Sequence, residues 1–141
     1  MDVDKGWIMQ KPHTELVRNF YKLLSEKNIP EWIQLWHDEG KIIVPYPADG
    51  FAPLIDGKTA IHTAFNGLFD NFERFDSNIT GIYDDPDTNA VCVEYKNDAL
   101  LKNGTPYTND NIAVFIFRDG LISEYHDYFD PRRFQTVVDA L

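Results

Sequence analysis

Hydrophobic positions change their period roughly halfway along the chain, from helical spacing to strict alternation. From Thr14, the residues Leu16, Val17, Phe20, Leu23 and Leu24 recur every three or four positions, with Thr14 placed to cap and Glu15 in the first turn. This spacing predicts an amphipathic helix. Pro30 opens a second run, in which Ile29, Trp32, Ile33 and Trp36 form one apolar face and Gly40 ends it. Lys41 to Tyr46 (KIIVPY) reads as a short strand, which Pro45 and Pro47 force to end at a sheet edge or a kink. A loop reaches Asp56, and a third helix opens near Gly57 with Ile61, Ala64, Phe65, Leu68 and Phe69 on one side.

Beyond that helix the chain reads as a meander of four strands: about Ser77 to Tyr83, Ala90 to Leu101, Tyr107 to Arg118, and Leu121 to Phe129. Turn chemistry separates them, namely a DDPDTN loop at Asp84 to Asn89, then Asn103-Gly104 and Asp119-Gly120. Asp130-Pro131 is a cap followed by proline at the first helical position, and Phe134, Val137, Val138 and Leu141 mark a closing helix. Helices first and strands afterwards place the chain in the α+β class. Along Tyr107 to Arg118, Ile112, Val114 and Ile116 alternate with Ala113, Phe115 and Phe117, so both faces of that strand require cover. If helices cover one face, the other is expected to line a cavity or a subunit interface, as in a dimer with one pocket per subunit.

Composition narrows the function classes. At 141 residues, 43% hydrophobic, the chain holds one domain, residues 1–141, with a sizeable core. Its apolar runs are far shorter than a membrane span, and the opening MDVDKGWIMQK lacks the order of a signal peptide, so a cytoplasmic location is expected. The single cysteine, Cys92, excludes an intramolecular disulfide and reads as a small buried hydrophobe. A formal net charge of −10, with no stripe of Lys and Arg, argues against nucleic acid as a partner. Aromatic residues make up 14% of the chain, which suits either a dense core or the wall of a small-molecule pocket.

Candidate chemistry concentrates in Glu124 to Asp130, EYHDYFD. Strand alternation puts Tyr125, Asp127 and Phe129 on one face and Glu124, His126, Tyr128 and Asp130 on the other. A carboxylate between two aromatic groups loses hydration, its pKa rises, and it can then exchange protons near neutral pH. The bland alternative for Asp127 is an exposed carboxylate, or one bonded to a neighbouring strand. His126 reads as a half-exposed structural histidine that could pair with Glu124; His13, His37 and His62 lack metal-pair spacing, so no metal is expected. Asn109 and Asn111 share the parity of Ala113 and Phe115, which would let an amide face a pocket, and Tyr46 offers a hydroxyl held by two prolines.

The element order, together with IAVFIFRDGLISEYHDYFDP (Ile112 to Pro131), resembles the SnoaL-like branch of the NTF2-like superfamily. That is the cone fold of ketosteroid isomerase, polyketide cyclases and limonene epoxide hydrolase. The terminal motif is most similar to the phenazine biosynthesis A/B proteins. The resemblance implies a curved antiparallel sheet with three helices from the N-terminal half and a short C-terminal helix enclosing a pocket. The acid/base glutamate of the phenazine proteins falls on Asp127, whereas their histidine after the glycine opening helix three falls on Lys58. The ketosteroid isomerase base falls on Val44 and its oxyanion-hole acid near Ala113, so that machinery is absent. The expectation is a pocket for a small cyclic or carbonyl-containing metabolite, with Asp127 as acid/base and Tyr46, Trp36, Phe20, Asn111, Phe115 and Tyr125 as ligand-binding residues. Isomerisation, cyclisation or hydration by that residue would need no cofactor. The alternatives are a non-catalytic homodimeric binder and a protein-interaction adaptor.

Overall fold

The computed structural model describes residues 13–141, so the opening segment read against a signal peptide lies outside the described residues. Helix α1 (His13–Ser25) is followed by α2 (Ile29–Trp32), a single turn capped by the Asn28 side chain, and by a 3-10 turn, Ile33–Leu35. Strands β1 (Trp36–Ile43) and β2 (Leu54–Asp56) precede α3 (Lys58–Phe69). Then come β3 (Phe72–Asp84), β4 (Val91–Leu101), β5 (Pro106–Arg118), β6 (Leu121–Phe129) and α4 (Pro131–Ala140). The six strands form one curved sheet in the order β2-β1-β6-β5-β4-β3.

Turn chemistry holds the meander in register. Asp119 and Gly120 both adopt positive φ (55° and 76°), the conformation a two-residue hairpin matched to strand twist requires. Asp130 caps α4 by accepting from the Arg132 backbone N–H at 2.9 Å, with Pro131 in the first turn.

Three expectations are corrected. The helix read from Pro30 to Gly40 stops at Trp32, and Trp36 and His37 already belong to β1, which pairs in parallel with β6. The helical spacing of Trp32 and Trp36 is real, but both indoles reach the same core from a turn and from a strand. Gly40, instead of ending a helix, lies where the β1–β6 register shifts; a Cβ there would stand 2.7 Å from Trp36 Cε3 and 3.0 Å from the His37 carbonyl. A side chain on the strand at that point would collide with the indole beneath it. The segment before Asp56 is not all loop, since Leu54–Asp56 pairs with β1 as an edge strand. Cys92 is half-buried on β4 rather than enclosed.

The core lies between the inner face of the sheet and the helices. Helix α1 packs on β3 and β4, α3 on β1, and α4 on β5. Phe20 stands at its centre, with ring centroids 4.9 Å from Phe115, 5.0 Å from Tyr125 and 5.3 Å from Trp32. Ala113 and Phe115 are fully buried on this face, while Ile112, 44% exposed, faces outward with Val114 and Ile116. Helices and hollow therefore share one face of the sheet instead of dividing its two faces. No helix among the described residues is long and apolar enough to cross a membrane.

Candidate functional site

Between sheet and helices a hollow remains, about 640 Å³ of atom-free space counted out to its open mouth. Its walls are overwhelmingly apolar. Tyr21 and Leu24 come from α1, Phe65, Leu68 and Phe69 from α3, and Phe134 from α4; Ile42, Val44 and Ile55 close the β1–β2 side. Strand alternation then directs Tyr95 and Asn97 of β4, Tyr107 and Asn111 of β5, and Tyr125, Asp127 and Phe129 of β6 into the same space.

Asp127 is placed opposite Ala113 in the β5–β6 ladder. Its Oδ1 accepts a hydrogen bond from the Tyr95 hydroxyl at 2.7 Å. The Tyr95 oxygen lies 2.9 Å from the Tyr125 hydroxyl, which in turn lies 3.0 Å from that of Tyr21. Asn111 Nδ2 also donates to the Tyr95 oxygen, at 3.3 Å. A line of three phenols from α1, β6 and β4 thus ends on one carboxyl group.

Burial is the dominant electrostatic influence here. It pushes the Asp127 carboxyl up from 3.8 to about 7, against the lowering effect of the hydrogen bonds from Tyr95 and Asn111. Asp127 retains some accessible surface and lines the hollow. Desolvation likewise holds the Tyr21, Tyr95 and Tyr125 hydroxyls well above the ordinary phenol value, so all three stay protonated. A carboxyl group that titrates near neutrality, with hydroxyls supporting its charged form, can take a proton from a bound molecule and return it.

Of the residues singled out in the sequence, Asp127, Asn111 and Tyr125 come together in this hollow. The others go elsewhere. Tyr46 is 66% exposed, its ring 6.4 Å from that of Tyr128, and it lies outside the hollow's lining because the Pro45–Pro47 segment leaves the sheet. Phe20, Trp36 and Phe115 are fully buried, packed against one another and against Tyr125 as core behind the wall. Asn109 is structural: its Nδ2 donates to the Tyr107 hydroxyl and the Asp130 carbonyl, and its Oδ1 accepts from the Asp130 N–H. His126 pairs with Glu124 at 2.8 Å on the outer face, and Lys58 starts α3 without reaching the hollow.

Sequence reading missed Tyr21, Tyr95, Tyr107, Ser77 and Asn97. Several of these were within reach of periodicity. Tyr21 lies four residues after Val17 on the buried stripe of α1, and Tyr95 shares the inward parity of Val91 and Val93.

Comparison with known proteins agrees with this architecture. The SnoaL-like domain matches residues 17–125. The uncharacterized protein YesE of Bacillus subtilis is 30% identical over 118 residues, covering 83% of this chain and 80% of that one. An uncharacterized PhzA/B-like protein of Pseudomonas aeruginosa, PA3332, is 27% identical over 120 residues, with 84% of each chain covered. A Bacillus subtilis crystal structure described as a candidate isomerase superposes with a TM-score of 0.79 at 28% identity, over 91% of this chain and 93% of that one. A Mycobacterium tuberculosis epoxide hydrolase of the LEH-like type shares the fold, with a TM-score of 0.67 at 21% identity over 88% and 86%. With its NTF2-like cone, its hollow on the inner sheet face and a family match spanning most of the sequence, the chain belongs to the SnoaL-like family.

Proposed function

We propose that the hollow receives a small, mostly apolar metabolite and that Asp127 acts on it as a general acid/base, in a cofactor-independent isomerisation, cyclisation or hydration. One observation carries this reading: a carboxyl group pushed up to about 7 faces an apolar hollow and accepts from a buried tyrosine at 2.7 Å. Each of these reactions needs only proton transfer at a positioned substrate. The relative described as a candidate isomerase and the epoxide hydrolase of the same fold are consistent with such chemistry, though fold alone carries no reaction.

Side-chain carboxyl NMR provides the first test. Asp127 should titrate with a midpoint near 7, and a midpoint near 4 would remove the acid/base role. Against a substrate, Asp127→Asn should abolish turnover while binding persists. A non-catalytic binder is favoured instead by Lys58, which occupies the position where the phenazine proteins carry a second functional group. On that reading Asp127→Asn would change affinity with no turnover to lose. Two copies are also expected to pair through the outer sheet face around Ile112, and a monomer in sedimentation would remove that part.

A further inference from the structure

The protons along the tyrosine line are all assigned once Asp127 is ionised. An ionised Asp127 can only accept, so the Tyr95 proton is committed to it. Tyr95 must then accept from Tyr125, and Tyr125 from Tyr21, which commits those two protons in sequence. Asn111 Nδ2 donates into the same group, toward Tyr95 and Asp127, which fixes the orientation of its amide because Oδ1 facing the carboxylate would be repulsive. Asn111 Oδ1 is consequently left over. It is buried, lies in a residue only 5% exposed, and has no hydrogen-bond partner among the described residues. At this end the hollow therefore presents an orphaned acceptor beside a carboxylate, and every donor is spent.

The opposite pole has the reverse character. Asn97 Oδ1 accepts from the Ser77 hydroxyl at 2.6 Å, while its Nδ2 makes no hydrogen bond among the described residues. The Tyr107 hydroxyl accepts from Asn109, which leaves its own proton uncommitted. Asn97 lies opposite Asn109 and so one diagonal step from Asn111, roughly 7–8 Å across the sheet.

We propose that the hollow selects a compact, mostly apolar molecule that presents a hydroxyl or N–H donor to Asn111 Oδ1 and Asp127, with an acceptor such as a carbonyl oxygen directed toward Asn97 and Tyr107. Carboxylates, phosphates and bare ketones are disfavoured at the Asp127 end, because they would add an acceptor to a pole that lacks free donors. The polar groups around Asp127 are Tyr21 of α1, Tyr95 of β4, Asn111 of β5 and Tyr125 of β6, with Tyr107 coupled to it only through space, while α3 and α4 contribute apolar Phe65, Leu68 and Phe134. No cation in this set supplies the missing donor. The inference rests on the hollow being the binding site.

Ligand-observed NMR titration at pH 8.5 tests it with toluene, 4-hydroxycyclohexanone and 1,4-cyclohexanedione, the last two nearly equal in shape. The hydroxyketone should bind about tenfold or more tightly than the dione, whose second carbonyl must face Asn111 Oδ1 and Asp127, the discrimination expected when a buried acceptor is satisfied by one ligand and not by the other. In Asn111→Leu that preference should fall several-fold, with Asp127 left as the one acceptor at that pole, while toluene still binds. Equal affinity for hydroxyketone and dione in the wild type, or a preference unchanged in the variant, overturns the proposal with the hollow intact. Failure of all three probes, toluene included, overturns the reading of the hollow itself.

Discussion

Asp127→Asn tests the electrostatic argument without any knowledge of the substrate. The carboxyl pKa is about 7 in the folded chain against 3.8 as reference, a shift of about 3 units and, at 1.36 kcal/mol per unit, about 4 kcal/mol at most. The sign follows from proton counting. Between those two values the folded chain binds a proton that the unfolded chain has lost, so the stabilising contribution is complete below about 3.8 and is lost as pH rises through about 7. Above 7 the fold must hold a charge in an apolar hollow. An asparagine avoids that cost and keeps an oxygen to accept from the Tyr95 hydroxyl. Since pH 5 lies about two units below the folded value, the wild type should lose about 3 kcal/mol relative to the variant between pH 5 and pH 8.5. Urea unfolding of both proteins at the two pH values measures this difference directly, and subtraction cancels every other titrating group. Access of the carboxylate to water inside the hollow would shrink the figure but not change its sign. A difference between the two proteins that stays the same at pH 5 and pH 8.5 would refute the reasoning.

Three further substitutions probe the supports of the site. Tyr95→Phe removes a hydrogen bond that lowers the Asp127 pKa, so the carboxyl NMR midpoint should move upward by on the order of one unit, with about 1–3 kcal/mol of stability lost from the stranded Tyr125 and Asn111 donors. Gly40→Ala drives a Cβ to 2.7 Å from the fully buried Trp36 ring, and should cost about 1–3 kcal/mol in urea unfolding with a changed tryptophan fluorescence. Asp130→Ala removes the cap of α4 and its bond to the Arg132 N–H, and should cost about 1 kcal/mol, measurable as a lower Tm.

Local rules carried much of this protein from sequence to structure. The boundaries of β4, β5, β6 and α4 follow from alternation, from Asp119-Gly120 and from Asp130-Pro131, because each of these signals acts within a few residues. That Tyr125, Asp127 and Phe129 share one face of β6 was legible for the same reason, since a period of two leaves Asp127 only two directions to point. Which direction meant enclosure was a tertiary matter, settled by the helices covering the face that Tyr125 and Asp127 share. The region from Trp32 to Gly40 defeated local reading because apolar residues four apart suit a helix equally well, and only pairing with β6, eighty or more residues onward, makes Trp36 the start of a strand. The tyrosine line shows the same limit more sharply. Tyr21, Tyr95 and Tyr125 lie on three different elements, up to 104 residues apart, and no spacing rule connects them. Residue types and their phase are properties of the chain, whereas the desolvation that moves the Asp127 carboxyl to about 7, and the proton order that leaves Asn111 Oδ1 unpartnered, arise only when those elements close around one space.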